Sequence, residues 1–96
     1  MATKKAELPV MVTTAHRGVF FGYATETEGE TIKLARARMA VYWTADLRGV
    51  LGLASAGPSR GSKISAAVSE MEIRNITAVV ECSPEATANW EKGIWG

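Results

Sequence analysis

The sequence predicts an α+β domain: an antiparallel meander sheet of about five strands, open or curled into a small barrel, with two short helices against it. Three observations lead to this prediction. Three β-favouring segments follow one another in the first half of the chain, separated by short turns that contain glycine. An apolar stripe of helical period then ends at Gly57-Pro58, and Ser83-Pro84-Glu85 is typical of the start of a second helix.

Composition indicates one globular domain. The chain has 96 residues, of which 47% are hydrophobic and 22% charged, and its formal net charge is +1. We assign residues 1–8 to a flexible N-terminal arm and residues 9–96 to a single domain. The charge balance argues against nucleic acid as a partner, and no apolar run approaches the roughly 20 residues of a membrane span. The sequence therefore predicts a cytoplasmic protein that does not bind membranes.

The first three strands are predicted from their β-branched and aromatic content. Pro9 cannot donate to a ladder, so we expect Val10–Ala15 to be an edge strand. Gly18 allows a hairpin turn into the second strand, Val19–Thr25. The third strand is Thr31–Trp43, which we expect to be the central strand of the sheet.

The apolar residues of the third strand change phase in its middle. Ile32 and Leu34 share one parity, whereas Met39 and Val41 hold the other. Both sets can face one core only if a β-bulge falls near Ala35–Arg36. Because bulges are common beside functional sites, this irregularity indicates where a site would lie.

The second half of the chain is predicted to contain both helices and the returning strands. An apolar stripe of Leu47, Val50, Leu51 and Ala54 predicts a helix that stops at Gly57-Pro58. Strand residues return from Ile64 onward, and a parity change between Ile73 and Ile76 predicts a bulge or tight turn near Asn75. The last helix, Pro84–Lys92, is expected to bury Ala86 and Trp90.

Catalytic and metal-binding signatures are absent from the sequence. One cysteine and one histidine are too few for a structural metal site, and no phosphate-binding glycine loop or nucleophile motif is present. Cys82 lies in an apolar run and is expected in the core, whereas His16 is expected in a solvated turn. We therefore predict a protein that is not an enzyme and that carries no cofactor and no metal.

Two polar features are candidates for anion binding. On a regular strand Arg36, Arg38 and Tyr42 share one face, where guanidinium forks and a phenol suit phosphate or carboxylate. The loop Ser59–Lys63 combines glycine, hydroxyls and cations, as anion-binding nests do. The simple alternatives are a solvated sheet face and a mobile connector. With the turn arginine, the predicted ligand-binding residues are Arg17, Arg36, Arg38, Tyr42, Ser59, Arg60, Ser62 and Lys63.

Aromatic residues point to both faces of the predicted sheet. Alternation sends Phe20 and Phe21 to opposite sides, and it does the same for Tyr42 and Trp43. Exposed aromatic faces are uncommon, so we expect helices on one side and a second subunit on the other. This predicts a homo-oligomer.

The segments RGVFFGY, IKLARARMAVYW, LASAG, SKIS and VVECSPEA together resemble small uncharacterised proteins of bacteriophages and prophages, over residues 10–92. The resemblance implies a phage setting, the host cytoplasm and a domain of unknown function, and it assigns no residue a role. Two hypotheses follow. The first is a non-enzymatic, homo-oligomeric binding module that sequesters a small anionic ligand, such as a nucleotide signal of host immunity. The alternative is a structural or protein-interaction module, either a virion part or an inhibitor of a host protein.

Overall fold

The computed structural model describes residues 7–15, 18–27, 29–43, 51–59 and 61–94. In chain order, the elements are β1 (Leu8–Thr14), β2 (Val19–Ala24), β3 (Thr31–Tyr42), α1 (Gly52–Ser55), β4 (Lys63–Ile64), β5 (Val68–Arg74), β6 (Ile76–Glu81) and α2 (Pro84–Glu91). The described part of the chain is thus an antiparallel sheet of six strands with two short helices, which confirms the predicted α+β class. The expected number of about five strands was close.

The first three strands form the predicted meander, and the later strands are added at its two sides. The order of strands is β4-β3-β2-β1-β6, and β5 pairs with the first half of β3. The sheet is not closed into a barrel, so the barrel alternative is wrong. The physical reason lies in the pairing: the segment that would close the sheet bonds to β3 only through β5 and to β1 only through β6, so neither ladder runs along its whole length.

The expectation that the first strand is an edge strand is also wrong. β1 lies between β2 and β6, and Pro9 is paired with Tyr23. Proline is tolerated there because Pro9 lies one residue beyond the last pair of the β1–β6 ladder, Val10 with Glu81. Its carbonyl still accepts a bond from the Cys82 amide at 2.9 Å.

A single residue, Asn75, links β5 to β6 and switches the pairing from β3 to β1. Asn75 adopts a φ of 58°, in the left-handed region that asparagine tolerates. Its carbonyl accepts from the Ala15 amide at 3.0 Å, and the next amide, of Ile76, donates to the Glu30 carbonyl at 3.1 Å. The irregularity predicted near Asn75 is therefore confirmed, and it requires the meander to curl so that both sides reach one segment.

Both faces of the sheet carry apolar clusters. The helix-side cluster consists of Met11, Val19, Phe21, Ala40, Leu53, Ala54, Ile64, Cys82, Ala86 and Trp90. The open-side cluster consists of Val10, Val12, Ala24, Ile32, Leu34, Ala37 and Ile73. Because side chains alternate along a strand, β1 supplies Met11 to the first cluster and its neighbours to the second. Both helices contribute only to the helix-side cluster.

Helix α2 forms as predicted and anchors the helix-side cluster. The hydroxyl of Ser83 accepts a bond from the Ala86 amide at 3.0 Å, which caps the helix at its start. Trp90 stacks on Phe21 with ring centroids 5.1 Å apart, and its indole N–H donates to the Leu53 carbonyl at 2.9 Å. The polar end of a fully buried ring is thereby satisfied.

The first predicted helix is confirmed only at its end. Leu47 and Val50 lie outside the described residues, as do residues 1–6 of the predicted arm. Of the predicted stripe, Ala54 is buried as expected, whereas Leu51 is 65% exposed and Leu53 is buried instead. The predicted stop is confirmed: Gly57 adopts a φ of 80° and lies so close to α2 that a Cβ there would come 2.8 Å from the Cα of Ala86.

Candidate functional site

The β-bulge predicted in the middle of β3 is present, and Arg36 lies in it. Phe21 of β2 is paired with Arg38, but Tyr23 is paired with Ala35, so β3 contains one more residue than β2 across this interval. Arg36 adopts a φ of 51°, which is uncommon for a residue with a side chain. Such strain is typical of positions that the surrounding structure holds in place, and it marks candidate functional sites.

Gly22 lies opposite the bulge and makes room for it. A Cβ at Gly22 would come 2.6 Å from the Cβ of Leu34 and 3.2 Å from the carbonyl oxygen of Ala35. The extra residue places Ala37 in the open-side cluster together with Leu34. Ala40, three residues further on, lies in the helix-side cluster. The bulge therefore sets which β3 side chains face the helices.

Arg36 belongs to a charged cluster on the surface. Its guanidinium lies over the Tyr23 ring, 4.2 Å from the centroid, and donates to a carboxylate oxygen of Glu7 at 2.9 Å. The hydrogen bond to Glu7 raises the pKa of Arg36. Burial raises the pKa of Tyr23, and the negative charge of Glu91 raises it further. The single positive charge of Arg36 thus already has the Tyr23 ring and the carboxylates of Glu7 and Glu91 around it.

Arg38 has a different environment, although it is only two residues away. Its Nη1 donates to the carbonyl oxygen of Ser65 at 3.1 Å, and its Nη2 donates to the carbonyl oxygen of Glu91 at 3.3 Å. Gly93 packs so closely that a Cβ there would come 2.6 Å from Nη1. The side chain ties β3 to the end of α2, where a cation is favoured by the helix dipole. Its Nε is buried and has no hydrogen-bond partner.

The other predicted site residues meet at the end of β3. Tyr42 is paired with Lys63 across the β3–β4 ladder, so Tyr42 meets the end of the Ser59–Lys63 loop, whereas Arg36 and Arg38 bond to Glu7, Ser65 and Glu91. Ser62 is fully buried and its hydroxyl has no partner, while its amide donates to the Ser59 carbonyl at 3.0 Å. Arg17 and Arg60 lie outside the described residues.

An exposed apolar surface lies on the open side of the sheet, where the sequence predicts no site. Met39, Val41 and Val68 are 40%, 51% and 46% exposed. Met39 is paired with the half-buried Phe20, which packs on the open-side cluster, and Val68 is paired with Ala37 of the same cluster. We call these four residues, Phe20, Met39, Val41 and Val68, the open-face patch. The phase change in β3 was the signal that could have revealed it.

Apart from this patch, an apolar depression lies between α1 and β6. Its volume is about 520 Å³, and its lining includes Leu51, Ala54, Val80, Cys82 and Pro84. Burial raises the pKa of the Cys82 thiol to about 12, so this thiol is not a nucleophile at neutral pH. We call this depression the β6 groove.

Within the described ranges, no group of three or more histidine, cysteine or acidic residues could hold a metal ion. In the same part of the chain, no helix has the length and apolar character needed to span a membrane.

The comparison with protein families identifies the chain. Residues 7–90 match the model of the domain of unknown function DUF6948, so the chain belongs to this family. The match extends from the start of β1 through most of α2 and includes the bulge, Asn75 and the capped helix. No match was found among curated proteins or among solved structures.

Proposed function

We propose that this domain is a non-enzymatic, homo-oligomeric interaction module that binds another protein through the open-face patch. The observation that carries the proposal is the exposure of Met39, Val41 and Val68 side by side on a sheet face that neither α1 nor α2 contacts. Contiguous exposed apolar side chains on a small domain are typical of protein contact surfaces. The setting we propose is a phage or prophage, in which the partner is a host or virion protein.

The polar groups favour this function over capture of a small ligand by the predicted arginines. The guanidinium of Arg36 is already paired with Glu7, and both terminal nitrogens of Arg38 donate to main-chain carbonyls. A ligand would have to displace these partners. The patch, by contrast, consists of four apolar side chains whose burial against a partner releases water at no cost in hydrogen bonds.

Site-specific photo-crosslinking tests the proposal in the cells that naturally make the protein. We expect a photoreactive residue at Val41 to form an adduct with one partner protein. The same residue at Ala88, exposed on the far side of α2, serves as the matched control. The adduct at Val41 should disappear when Met39→Glu is added, because a carboxylate would have to be desolvated in the contact.

The protein found in each crosslinked adduct shows whether the open-face patch contacts a partner. A partner captured equally from positions 41 and 88 would contradict the proposal, because the contact would then not involve the patch. An adduct at position 41 that contains only a second copy of the chain would contradict it as well, since the patch would then be a self-association surface.

A second candidate function, binding of a small anionic ligand, is favoured by one observation. Tyr42 and Lys63 are cross-strand neighbours beside the Ser59–Lys63 loop, so a phenol and an ammonium are placed together. We expect a ligand at one hundred times its Kd to stabilise the fold by about 2.7 kcal/mol, which corresponds to about 11–22 °C in Tm for a domain of this size.

Thermal unfolding against a panel of mono- and cyclic nucleotides measures this effect. Lys63→Ala should abolish the shift, whereas Lys33→Ala, on the distant half of β3, should leave it unchanged. No shift at millimolar nucleotide would exclude this candidate. The same result would leave the protein-binding proposal standing.

A further inference from the structure

β5 and β6 are two halves of one segment, but their outer edges differ in charge. β5 carries Glu70, Glu72 and Arg74, which is how natural proteins prevent an open strand from pairing with another chain. In β6, the five residues from Ile76 to Val80 include no charged residue and no proline. The outer edge of β6 therefore lacks the devices that protect the outer edge of β5.

From Thr77 to Glu81, the outer edge of β6 pairs with no other strand of the described residues, and Thr27 and Gly29 of the β2–β3 loop lie across two depressions from it. β6 bonds to β1 on its inner side, and the β2–β3 loop reaches its outer side at Glu30, whose carbonyl accepts from Ile76. The Cys82 amide donates inward to the Pro9 carbonyl. Because main-chain groups alternate along a strand, those of Glu81 and Val79 point outward.

We infer that β6 pairs antiparallel with β6 of a second copy of this chain, about a two-fold axis at Val79. This inference specifies the homo-oligomer of the proposed function and uses an edge separate from the open-face patch. In this register Val79 lies opposite Val79 of the second copy, Ala78 lies opposite Val80, and Thr77 lies opposite Glu81. The outward groups of Val79 then form a pair of hydrogen bonds across the axis.

The charge pattern favours a second copy at β6 over self-pairing of β5 in the register centred on Met71. Antiparallel self-pairing of β5 about Met71 would place Glu70 directly opposite Glu72, and like charges in opposite positions are destabilising. Self-pairing of β6 places each Glu81 opposite the hydroxyl of Thr77, so no two charges of the same sign meet. Because the axis is two-fold, the contact between Glu81 and Thr77 occurs twice, once on each side of Val79.

The β6 groove gives the same interface an apolar contact beyond the main chain. Leu51, which is 65% exposed, lines the groove together with Val80. A second copy of β6 lies beside Val80 in the proposed register, so it would also cover Leu51. The pairing thus accounts for two otherwise unexplained features, the unprotected edge and the most exposed leucine of the described residues.

Disulfide trapping tests the register directly. Two residues that face each other across a two-fold axis in an antiparallel pair have Cα atoms about 4.5–5.5 Å apart, within the range that a disulfide spans. We expect Val79→Cys to form a covalent dimer of about twice 10.3 kDa under mild oxidation. The native Cys82 is buried and should not react. Glu70→Cys, on the protected β5 edge, is the matched control.

A second variant prevents pairing at the outer edge of β6 and keeps the hydrogen bonds between β1 and β6. Glu81→Pro removes an outward N–H from an exposed position, so the fold should persist while the dimer is lost. Light scattering should give a dimer for the wild type and a monomer for Glu81→Pro, with thermal unfolding as the check on folding.

A monomeric wild type, or trapping that is no faster at position 79 than at position 70, would overturn the inference. Either result would leave the photo-crosslinking test of the open-face patch unaffected, because that test reads contacts to a different protein. A dimer that persists in folded Glu81→Pro would also overturn it.

Discussion

Arg36 and Arg38 are two residues apart on one strand, yet the fold uses them in opposite ways. Arg36 lies in the bulge with a φ of 51° and places its guanidinium over Tyr23 at the surface, where Glu7 pairs with it. Arg38 has regular strand geometry, and both of its terminal nitrogens donate hydrogen bonds to the main-chain carbonyls of Ser65 and Glu91. The first side chain contacts other side chains, whereas the second joins elements.

The difference shows that residue type and spacing do not by themselves make a binding face. On a regular strand the two guanidinium groups would point the same way and could hold one anion. The bulge and the end of α2 instead give each arginine its own acceptors. Replacing each arginine by alanine tests this difference, because the loss of stability should be larger for the arginine that joins elements than for the one at the surface.

The largest expected effect is at Arg38. Arg38→Ala removes two charge-assisted hydrogen bonds and the cation at the end of α2, so we expect a loss of about 2 kcal/mol in the free energy of unfolding. Arg36→Ala should cost less than 1 kcal/mol, because exposed ion pairs contribute little. Urea unfolding of both variants measures the difference, and equal losses would show that the two arginines have the same role.

A smaller effect is expected when glycine replaces each arginine, because the stability difference between the Gly and Ala variants should have opposite signs at positions 36 and 38. At position 36 glycine tolerates the positive φ, so Arg36→Gly should be more stable than Arg36→Ala by about 1 kcal/mol. At position 38, in regular strand geometry, the order should be reversed, because glycine there only adds backbone entropy to the unfolded chain. The same order at both positions would mean that the bulge does not hold Arg36 in the left-handed region.

The smallest effect concerns the phenol beneath Arg36. Burial and the charge of Glu91 raise the pKa of Tyr23 in the folded state. The unfolded chain therefore loses this proton first as the pH rises past about 10, and stability falls from there up to the folded pKa. Tyr23→Phe should lose less stability between pH 8 and pH 11 than the wild type does. Cys82, whose pKa is also raised, acts equally in both proteins and cancels in the difference.

Local signals in the sequence predicted much of the fold. Ser83-Pro84-Glu85 fixed the start of α2, because a cap, a proline and an acidic first turn depend only on neighbouring residues. The two parity changes predicted the bulge at Arg36 and the turn at Asn75, since a strand can change its buried face only by inserting a residue. The inner position of β1 was missed, because nothing in Pro9 or its neighbours records which strand pairs beside it.

The candidate site depended more strongly on contacts between distant residues. Sequence spacing grouped Arg36, Arg38 and Tyr42, whereas the fold pairs Arg36 with Glu7 and Tyr42 with Lys63. Glu7 lies 29 positions from Arg36 in the sequence, and Lys63 lies 21 positions from Tyr42. No periodicity reports on such distances.

The sequence by itself therefore determined the elements, the irregular points in the strands and the lack of catalytic and metal-binding motifs, because each of these depends on a few adjacent residues. Only the tertiary structure decided which arginine is tied into the fold, which apolar side chains of β3 and β5 stay exposed and which strand edge lacks protection. Those properties depend on the switch of the chain at Asn75 from β3 to β1, which brings together residues that are far apart in sequence.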